Sequence, residues 1–428
     1  MSSETLAAVA DIVMGQSPPG DMVFAKPTGL PLLNGPTEFG LFNPTPVQFT
    51  PSYKKVARRG DILFCVRGST TGRMNNADQD YAIGRGLAAI RHKSDLRLQP
   101  LLRAVLESYL PELLARATGS TFPNVSASQL ANVPFPSFDK TEQLDISVIL
   151  GTLDDKIELN RQMNHTLEQM AQALFQSWFV DFDPVWAKKE GRQPVGMDAD
   201  TAALFPDEFE ESELGLIPKG WRTPPLPEVI KINPSRTLSR GIEAPFLDMA
   251  NMPIASPRAL KVTARTFQGS GAKFMNGDVL VARITPSLEN GKTAFVDFLH
   301  NGEVGWGSTE YIVLKAGLSL VPEYVYYLAR HESFRTFAIQ NMTGTSGRQR
   351  VPSSCFDQYA IVMPNLEVMT AFGKLTHNFL RAMKAHDEES QTLVTIRDTL
   401  LPKLLSGELR VPFTAEDVLT QEVTPHGA

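Results

Sequence analysis

The tetrapeptide Gly60-Asp61-Ile62-Leu63 returns 217 residues later as Gly277-Asp278-Val279-Leu280, and the return is one of a series. Pro100 with Leu106 matches Pro322 with Leu328 at an offset of 222. Thr118-Gly119-Ser120 matches Thr343-Gly344-Thr345 at 225, and two long helical stretches match at 226. Any one match is within the reach of chance. Matches in the same order, with an offset that drifts slowly upward, are what a duplication with small insertions leaves behind. Such a repeat fixes the architecture before any local reading: the chain is two similar halves. Its length of 428 residues suits two to four domains.

Each half opens with roughly 135 residues of mixed character and closes with a long helix. Short β-branched or aromatic runs (Ile62–Val66, Leu87–Ile90, Val279–Ala282, Tyr311–Leu314) alternate with turn clusters. One helix is expected near residues 100–116 and its counterpart near 322–340. A proline-containing strand follows in each half, Val133–Pro136 and Ile361–Pro364. The fold class expected is α+β.

Residues 141–179 contain no proline, and Gly151 is their one glycine. Apolar side chains recur there at heptad spacing: Ile146, Leu150, Leu153, Ile157, Leu167, Ala171 and Leu174, interrupted by Asn160 and Asn164. Residues 367–405 repeat the series with Phe372, Leu375, Phe379, Ala382, Leu393, Ile396 and Leu400, interrupted by His386 and Glu389. A seam of this period predicts a coiled coil. Antiparallel pairing would set the two polar breaks opposite each other, and a buried polar residue in a seam fixes register at a cost in stability. Asn160, Asn164 and His386 are therefore the register candidates. The alternative, each helix packed only on its own domain, stays open at this level.

Hydrophobic residues make up 42% and charged residues 21%, ordinary values for a soluble globular chain. No run approaches about 18 consecutive apolar residues, so no membrane span is expected. The first residues carry Glu4 and Asp11 without a basic stretch, unlike a signal peptide. The two cysteines, Cys65 and Cys355, form no CxxC pair, and the seven histidines have no ligand-like spacing. The expectation is a cytoplasmic protein with neither structural metal nor disulfide framework. A net charge of −6 argues weakly against nucleic acid, but acidic residues concentrate in 186–213.

Each helix of about 35 residues would span roughly 50 Å at 1.5 Å per residue. A direct repeat folded about an antiparallel pair has pseudo-two-fold symmetry. Duplex DNA has the same symmetry, with half-sites one turn apart separated by about 34 Å. Two unlike readers held this way would read two unlike half-sites.

The first helix end, Ala173-Leu174-Phe175-Gln176-Ser177-Trp178-Phe179-Val180-Asp181-Phe182-Asp183-Pro184-Val185, closely resembles a signature of type I restriction–modification specificity subunits. So does Leu204-Phe205-Pro206 through Gly215-Leu216-Ile217-Pro218-Lys219-Gly220-Trp221, which in that family introduces a second target-recognition domain. Leu400 to Arg410 looks like the second helix end, and Ala10 to Pro18 like the family's opening. The resemblance covers nearly the whole chain. It implies two target-recognition domains that contact a bipartite double-stranded DNA site. It also implies an antiparallel helical spacer, two adenine-N6 methyltransferase subunits and motor–nuclease subunits as partners. S-adenosylmethionine, ATP and Mg would be used by those partners, with no cofactor in this chain. The expected organisation is recognition domain 1 at 1–138, spacer helix 1 at 139–183 and linker at 184–220. Recognition domain 2 at 221–365, spacer helix 2 at 366–410 and a tail at 411–428 complete it.

Two catalytic look-alikes are weak. Asp183-Pro184-Val185-Trp186 resembles the motif that holds a target amine in amino-methyltransferases, but its second proline is Val185. Asn290-Gly291-Lys292-Thr293 resembles the end of a phosphate-binding loop, but Pro286 stands where the leading glycine belongs. A catalytic role is not expected for either.

Phosphate contacts need cations and small donors, and base contacts need Arg, Lys, Asn, Gln or Thr on a groove-accessible element. In the first half the candidates are Lys54, Lys55, Arg58, Arg67, Ser69, Thr70, Arg73, Ser120, Thr121 and Asn124. In the second they are Arg236, Arg240, Lys261, Arg283, Asn290, Lys292, Thr345, Ser346, Arg348, Gln349 and Arg350. Arg258 and Arg265 precede the matched strand as well. Trp178, Phe179 and Phe182 are read as a docking face for a partner or as domain packing. Three classes remain open: a DNA-specificity subunit, a self-contained DNA methyltransferase or nuclease, and a coiled-coil scaffold for proteins alone.

Overall fold

The computed structural model describes residues 3–40, 43–118, 123–345 and 347–410. The candidates Ser120, Thr121 and Ser346 and the tail 411–428 lie outside the described residues. Contacts divide the chain into two compact units, Met1–Leu159 with the chain from Glu389 on, and Asn160–Glu388.

In the first unit the strands are β1 (Ala10–Met14), β2 (Leu30–Leu33), β3 (Gln48–Thr50), β4 (Val56–Ala57), β5 (Ile62–Cys65), β6 (Met74–Asn76), β7 (Tyr81–Ile83) and β8 (Leu87–His92). Among the described residues they form two four-stranded sheets, ordered β1-β8-β5-β6 and β3-β2-β7-β4. All neighbours are antiparallel except β2 and β7. The central strand β5 is buried along its whole length, so it reads as a continuous apolar run rather than an alternation. Helix α1 (Gln99–Ala115) covers the first sheet through Leu101, Leu102, Val105 and Leu106. Ser3–Thr5 pairs with Pro134–Pro136 to close the module.

The second unit repeats this plan strand for strand. Its strands are β9 (Ile230–Ile232), β10 (Glu243–Leu247), β11 (Thr263–Thr266), β12 (Ala272–Phe274), β13 (Asp278–Ala282), β14 (Thr293–Phe295), β15 (Gly305–Gly307) and β16 (Tyr311–Ala316). The sheets are ordered β9-β16-β13-β14 and β11-β10-β15-β12, again with one parallel pair, β10 and β15. Two short helices, Pro322–Arg330 and Glu332–Gln340, stand where the first unit has α1.

The repeated Gly-Asp has a structural cause. Gly60 and Gly277 take left-handed φ values of 87° and 84°, which glycine adopts without strain. The aspartate that follows accepts the backbone N–H three residues back, Arg58 for Asp61 at 2.7 Å and Met275 for Asp278 at 2.8 Å. Each carboxylate also meets an arginine, Arg91 for Asp61 and Arg236 for Asp278. The turn into the central strand is thereby closed the same way in both modules. Burial pushes both carboxyls up, and the backbone donor and the arginine oppose that shift.

The long helices run Lys140–Phe179 and Leu366–Ser406. They pair antiparallel within each unit. In the first, Arg397 meets Asp154 at 2.8 Å and Leu401 and Leu404 join Ile146 and Leu150 in one core. In the second, Asn160 Nδ2 donates to the His386 carbonyl at 3.4 Å, and Phe175 packs on Phe372. Asn164 donates to the Met383 carbonyl at 3.2 Å and to Asp387 at 2.8 Å, and its Oδ1 lies 2.8 Å from His386 Nδ1. The polar breaks thus face each other.

Several expectations change. Leu375 and Ile396, placed in the seam, are 39% and 42% exposed, while Leu380, Met383, Leu401 and Leu404 are buried. A straight helix drifts about 20° per heptad from a 3.5-residue repeat, so the buried stripe wanders. Pro402 sits inside the last turns of its helix. The expected strand Ile361–Pro364 shrinks to isolated bridges, Arg222 with Met363 and Pro225 with Ala360. Pro224 and Pro225 have no N–H to donate, which breaks the ladder there. Residues 184–220, expected as a linker, are folded: Asp183–Lys189 and Ala199–Ala203 are helical, and Phe209–Ser212 pairs with Gly215–Pro218. No described helix is long and apolar enough to cross a membrane.

In the second unit Glu168 is buried from the long helix against the helix Pro322–Arg330. It accepts from Tyr326 at 3.1 Å, Tyr327 at 3.4 Å and Gln172 at 2.7 Å, and pairs with Arg330 at 3.3 Å. Burial pushes its carboxyl up, opposed first by the Arg330 charge. Glu168→Ala leaves Arg330 buried without its counter-charge. It is expected to destabilise the protein by roughly 3–5 kcal/mol, read as a lowered urea midpoint, with Glu168→Gln costing less.

Candidate nucleic-acid interface

In both units the loop after the central strand and the loop after the covering helix are tied together by the same backbone bonds. In the first, Val66 N–H donates to the Gly86 carbonyl at 2.9 Å, and Val125 N–H to the Val66 carbonyl at 2.9 Å. Asn124 and Thr118 exchange bonds at 2.8 and 3.1 Å, and Asn124 bridges Arg67. In the second, Arg283 donates to Glu310 at 2.9 Å and Val351 to Arg283 at 2.9 Å. Arg350 and Thr343 exchange bonds at 2.8 and 2.9 Å, and Arg350 bridges Ile284. The same positions of two repeats thus present a polar loop pair on one backbone ladder.

The first pair is the simpler. Arg67, Ser69, Thr70 and Arg73 are exposed, and Asn124 is half-buried. Thr71 ties the two loops by donating to the Pro123 carbonyl at 2.8 Å. Arg73 lies over the Phe39 ring, 5.9 Å from its centroid. Lys54, Lys55 and Arg58 are exposed on either side of β4.

The second pair carries Thr345 and Arg348 exposed, with Gln349 and Arg350 half-buried. Arg350 Nε donates to Glu310 Oε1 at 2.8 Å, and Arg283 Nε lies 4.0 Å from Glu310 Oε2. Asn290, Arg240 and Lys261 are exposed. Beside this loop pair Arg236, Lys273, Arg283, Thr309 and Tyr311 line a cleft of about 390 Å³.

Other candidate cations are engaged inside the fold. Arg236 gives Asp278 two bonds at 2.9 Å. Lys292 Nζ donates to the Met249 carbonyl at 2.6 Å. Arg258, 8% exposed, pairs with Asp297 at 2.9 Å and Asp387 at 3.4 Å, so it fastens the module to the long helix and does not face solvent. Trp178 and Phe179 are buried in the second unit's core against Phe205, Phe372 and Tyr324, and Phe182 packs on Trp221. That packing accounts for their aromatic character. Sequence reasoning missed Lys273 and Glu310. Glu310 stands just before a matched strand, but a lone carboxylate among basic loops gives no signal of its own. Among the described residues no cluster of potential metal ligands occurs.

The chain is a duplicated module, each copy with a polar loop pair and its share of an antiparallel helix pair. The profile of the type I restriction modification DNA specificity domain matches residues 5–169. The chain is 27% identical over 414 residues to the type I restriction enzyme HindI specificity subunit of Haemophilus influenzae, covering 83% of this chain and 88% of that one. It is 24% identical over 321 residues to the MjaIX specificity subunit of Methanocaldococcus jannaschii, covering 72% and 67%. The crystal structure of a type I system S subunit from M. genitalium shares the fold, with a TM-score of 0.54 at 17% identity over 94% of this chain and 95% of that one. The chain is thus similar to type I restriction–modification specificity subunits, and residues 5–169 match the profile of their DNA specificity domain.

Changing Arg67 and Arg73 together to Ala is expected to weaken DNA binding. If both contact phosphate, the slope of log affinity against log salt falls by about 2. Filter-binding titrations across a salt series provide the measurement.

Proposed function

We propose that this chain is the DNA-reading, non-catalytic subunit of a type I restriction–modification complex, and that its two units read the two parts of a bipartite asymmetric site. One observation carries the reading: equivalent backbone ladders hold loop pairs of unlike polar sequence, Arg67–Arg73 with Asn124 and Arg283–Lys292 with Arg348–Arg350. Like scaffolds with unlike side chains suit two readers of different base sequence.

In this reading the chain scaffolds two methyltransferase subunits and the motor–nuclease subunits in the cytoplasm. S-adenosylmethionine, ATP and Mg serve those subunits. The catalytic look-alikes favour this assignment over a self-contained enzyme. Pro184 and Val185 are buried in the first turn of their helix. Lys292, the lysine of the phosphate-loop look-alike, is bonded to a backbone carbonyl.

Two experiments test the reading. Exchanging residues 1–136 for another recognition domain is expected to change one half-site and leave the other intact, as read by methylome sequencing of cells that also carry the methyltransferase. A change in both half-sites would sink the two-reader assignment. Inserting four residues into each long helix is expected to alter the gap between half-sites. An unchanged gap contradicts the role of the helices as a ruler.

A further inference from the structure

The backbone ladder defines three equivalent positions in each unit. In the first they hold Val66, Gly86 and Asn124; in the second they hold Arg283, Glu310 and Arg350. The scaffold is the same, but the second unit has an arginine–glutamate–arginine triad where the first has one polar side chain.

We propose that Arg350 reads a guanine in the half-site of the second unit, and that Glu310 is the positioning residue that orients it. The inference rests on the DNA-reading function above and adds a base and a residue to it. Arg350 Nε is held by Glu310 at 2.8 Å, and its Nη1 makes a longer bond to the Arg348 carbonyl at 3.3 Å. No bond from its Nη2 to a described residue is present. The side chain is 43% exposed, against 22% for Glu310 and 28% for Arg283.

That geometry selects among the partners an arginine can take. With Nε occupied, the terminal nitrogens remain as a pair of parallel donors. Guanine offers two acceptors, O6 and N7, at matching spacing on its major-groove edge. A phosphate is the poorer partner, because the Glu310 carboxylate would stand beside it and like charges repel. A carboxylate that fixes the guanidinium before binding also removes rotamer freedom that recognition would otherwise have to freeze. Arg283, 4.0 Å from the other Glu310 oxygen, shares the carboxylate. Asn124 at the equivalent position of the first unit has a different donor–acceptor pattern, one that suits adenine better than guanine.

The test uses the full chain assembled with its methyltransferase subunits. Each complex selects from a random-sequence duplex library, and bound DNA is sequenced. The variants are Arg350→Ala, Arg350→Lys and Glu310→Gln. The wild type is expected to prefer guanine at a position of one half-site. Arg350→Ala is expected to cut that preference about tenfold or more, and Arg350→Lys to cut it while retaining more of the affinity. Glu310→Gln, which keeps the volume and an acceptor, is expected to lower the same preference with the salt slope unchanged. In all three variants the other half-site stays intact, which also reports that the protein is folded. A guanine preference that survives Arg350→Ala overturns the proposal. So does a uniform loss of affinity over all sequences with a reduced salt slope, which assigns Arg350 to a phosphate. A wild-type complex with no bipartite preference overturns the DNA-reading function itself, a separate result.

Discussion

Asn164, Asp387 and Arg258 form the junction on which the second unit depends. Asn164 sits on one long helix, Asp387 on the other and Arg258 in the recognition module, and the three are joined through 2.8 and 3.4 Å contacts. Asp387 is pushed up by burial and held down by Arg258 and the Asn164 amide. A buried charged junction of this kind adds little net stability, because desolvation offsets most of the attraction. Its effect is on alternatives. Sliding one helix by a heptad would set Leu380 or Val394 in place of Asp387, leaving Asn164 and Arg258 against apolar side chains. An unsatisfied buried amide costs about 1–3 kcal/mol and a charge more. This cluster therefore favours one register and one seating of the module.

The same unit couples module to helix a second time through Glu168, which collects two tyrosine hydroxyls and Arg330 from the helix Pro322–Arg330. Between these polar points the aromatic core of Phe175, Trp178, Phe179, Tyr324 and Phe372 supplies the area burial. Apolar packing is non-directional, so it stabilises the pairing without choosing a register. The polar contacts choose it. Helix-end aromatics that resemble a docking face are thus interior residues.

What was legible in the residues was whatever repeats. The Gly-Asp turn, the buried central strand and the long helices all recur at a near-constant offset, and each recurrence reflects a local rule: a left-handed glycine, a period of burial, a seam. The polar breaks at Asn160, Asn164 and His386 were legible for the same reason. What was not legible depends on partners far apart in sequence. Arg236 and Arg258 look like surface cations until Asp278 and Asp387 reach them. The strand at Ile361–Pro364 looked like its counterpart until prolines in its partner removed the donors. Glu310 lies 40 residues from Arg350, and nothing in the chain between them announces the pair.

That split between repeated and unrepeated features has a physical basis. The ladder that joins the two loops of each module is made of main-chain donors and acceptors, and every residue type except proline carries both. Side chains at Asn124, or at Arg283, Glu310 and Arg350, can therefore differ without changing the bonds that place them, whereas a side chain at Gly86 would collide with the Asn34 carbonyl. Most of the module's hydrophobic face lies elsewhere, on α1 and the buried central strand, and of the head residues Val66 is the one buried in that core. Substitutions at the half-buried heads, Asn124, Arg283, Glu310 and Arg350, alter what the loop can hydrogen-bond while removing little buried apolar surface. A duplicated reader built this way can diverge at its heads while its scaffold stays fixed. The net charge of −6 does not stand against the proposed function, because acidic residues gather in 186–213 and Arg67, Arg73 and Arg348 remain exposed.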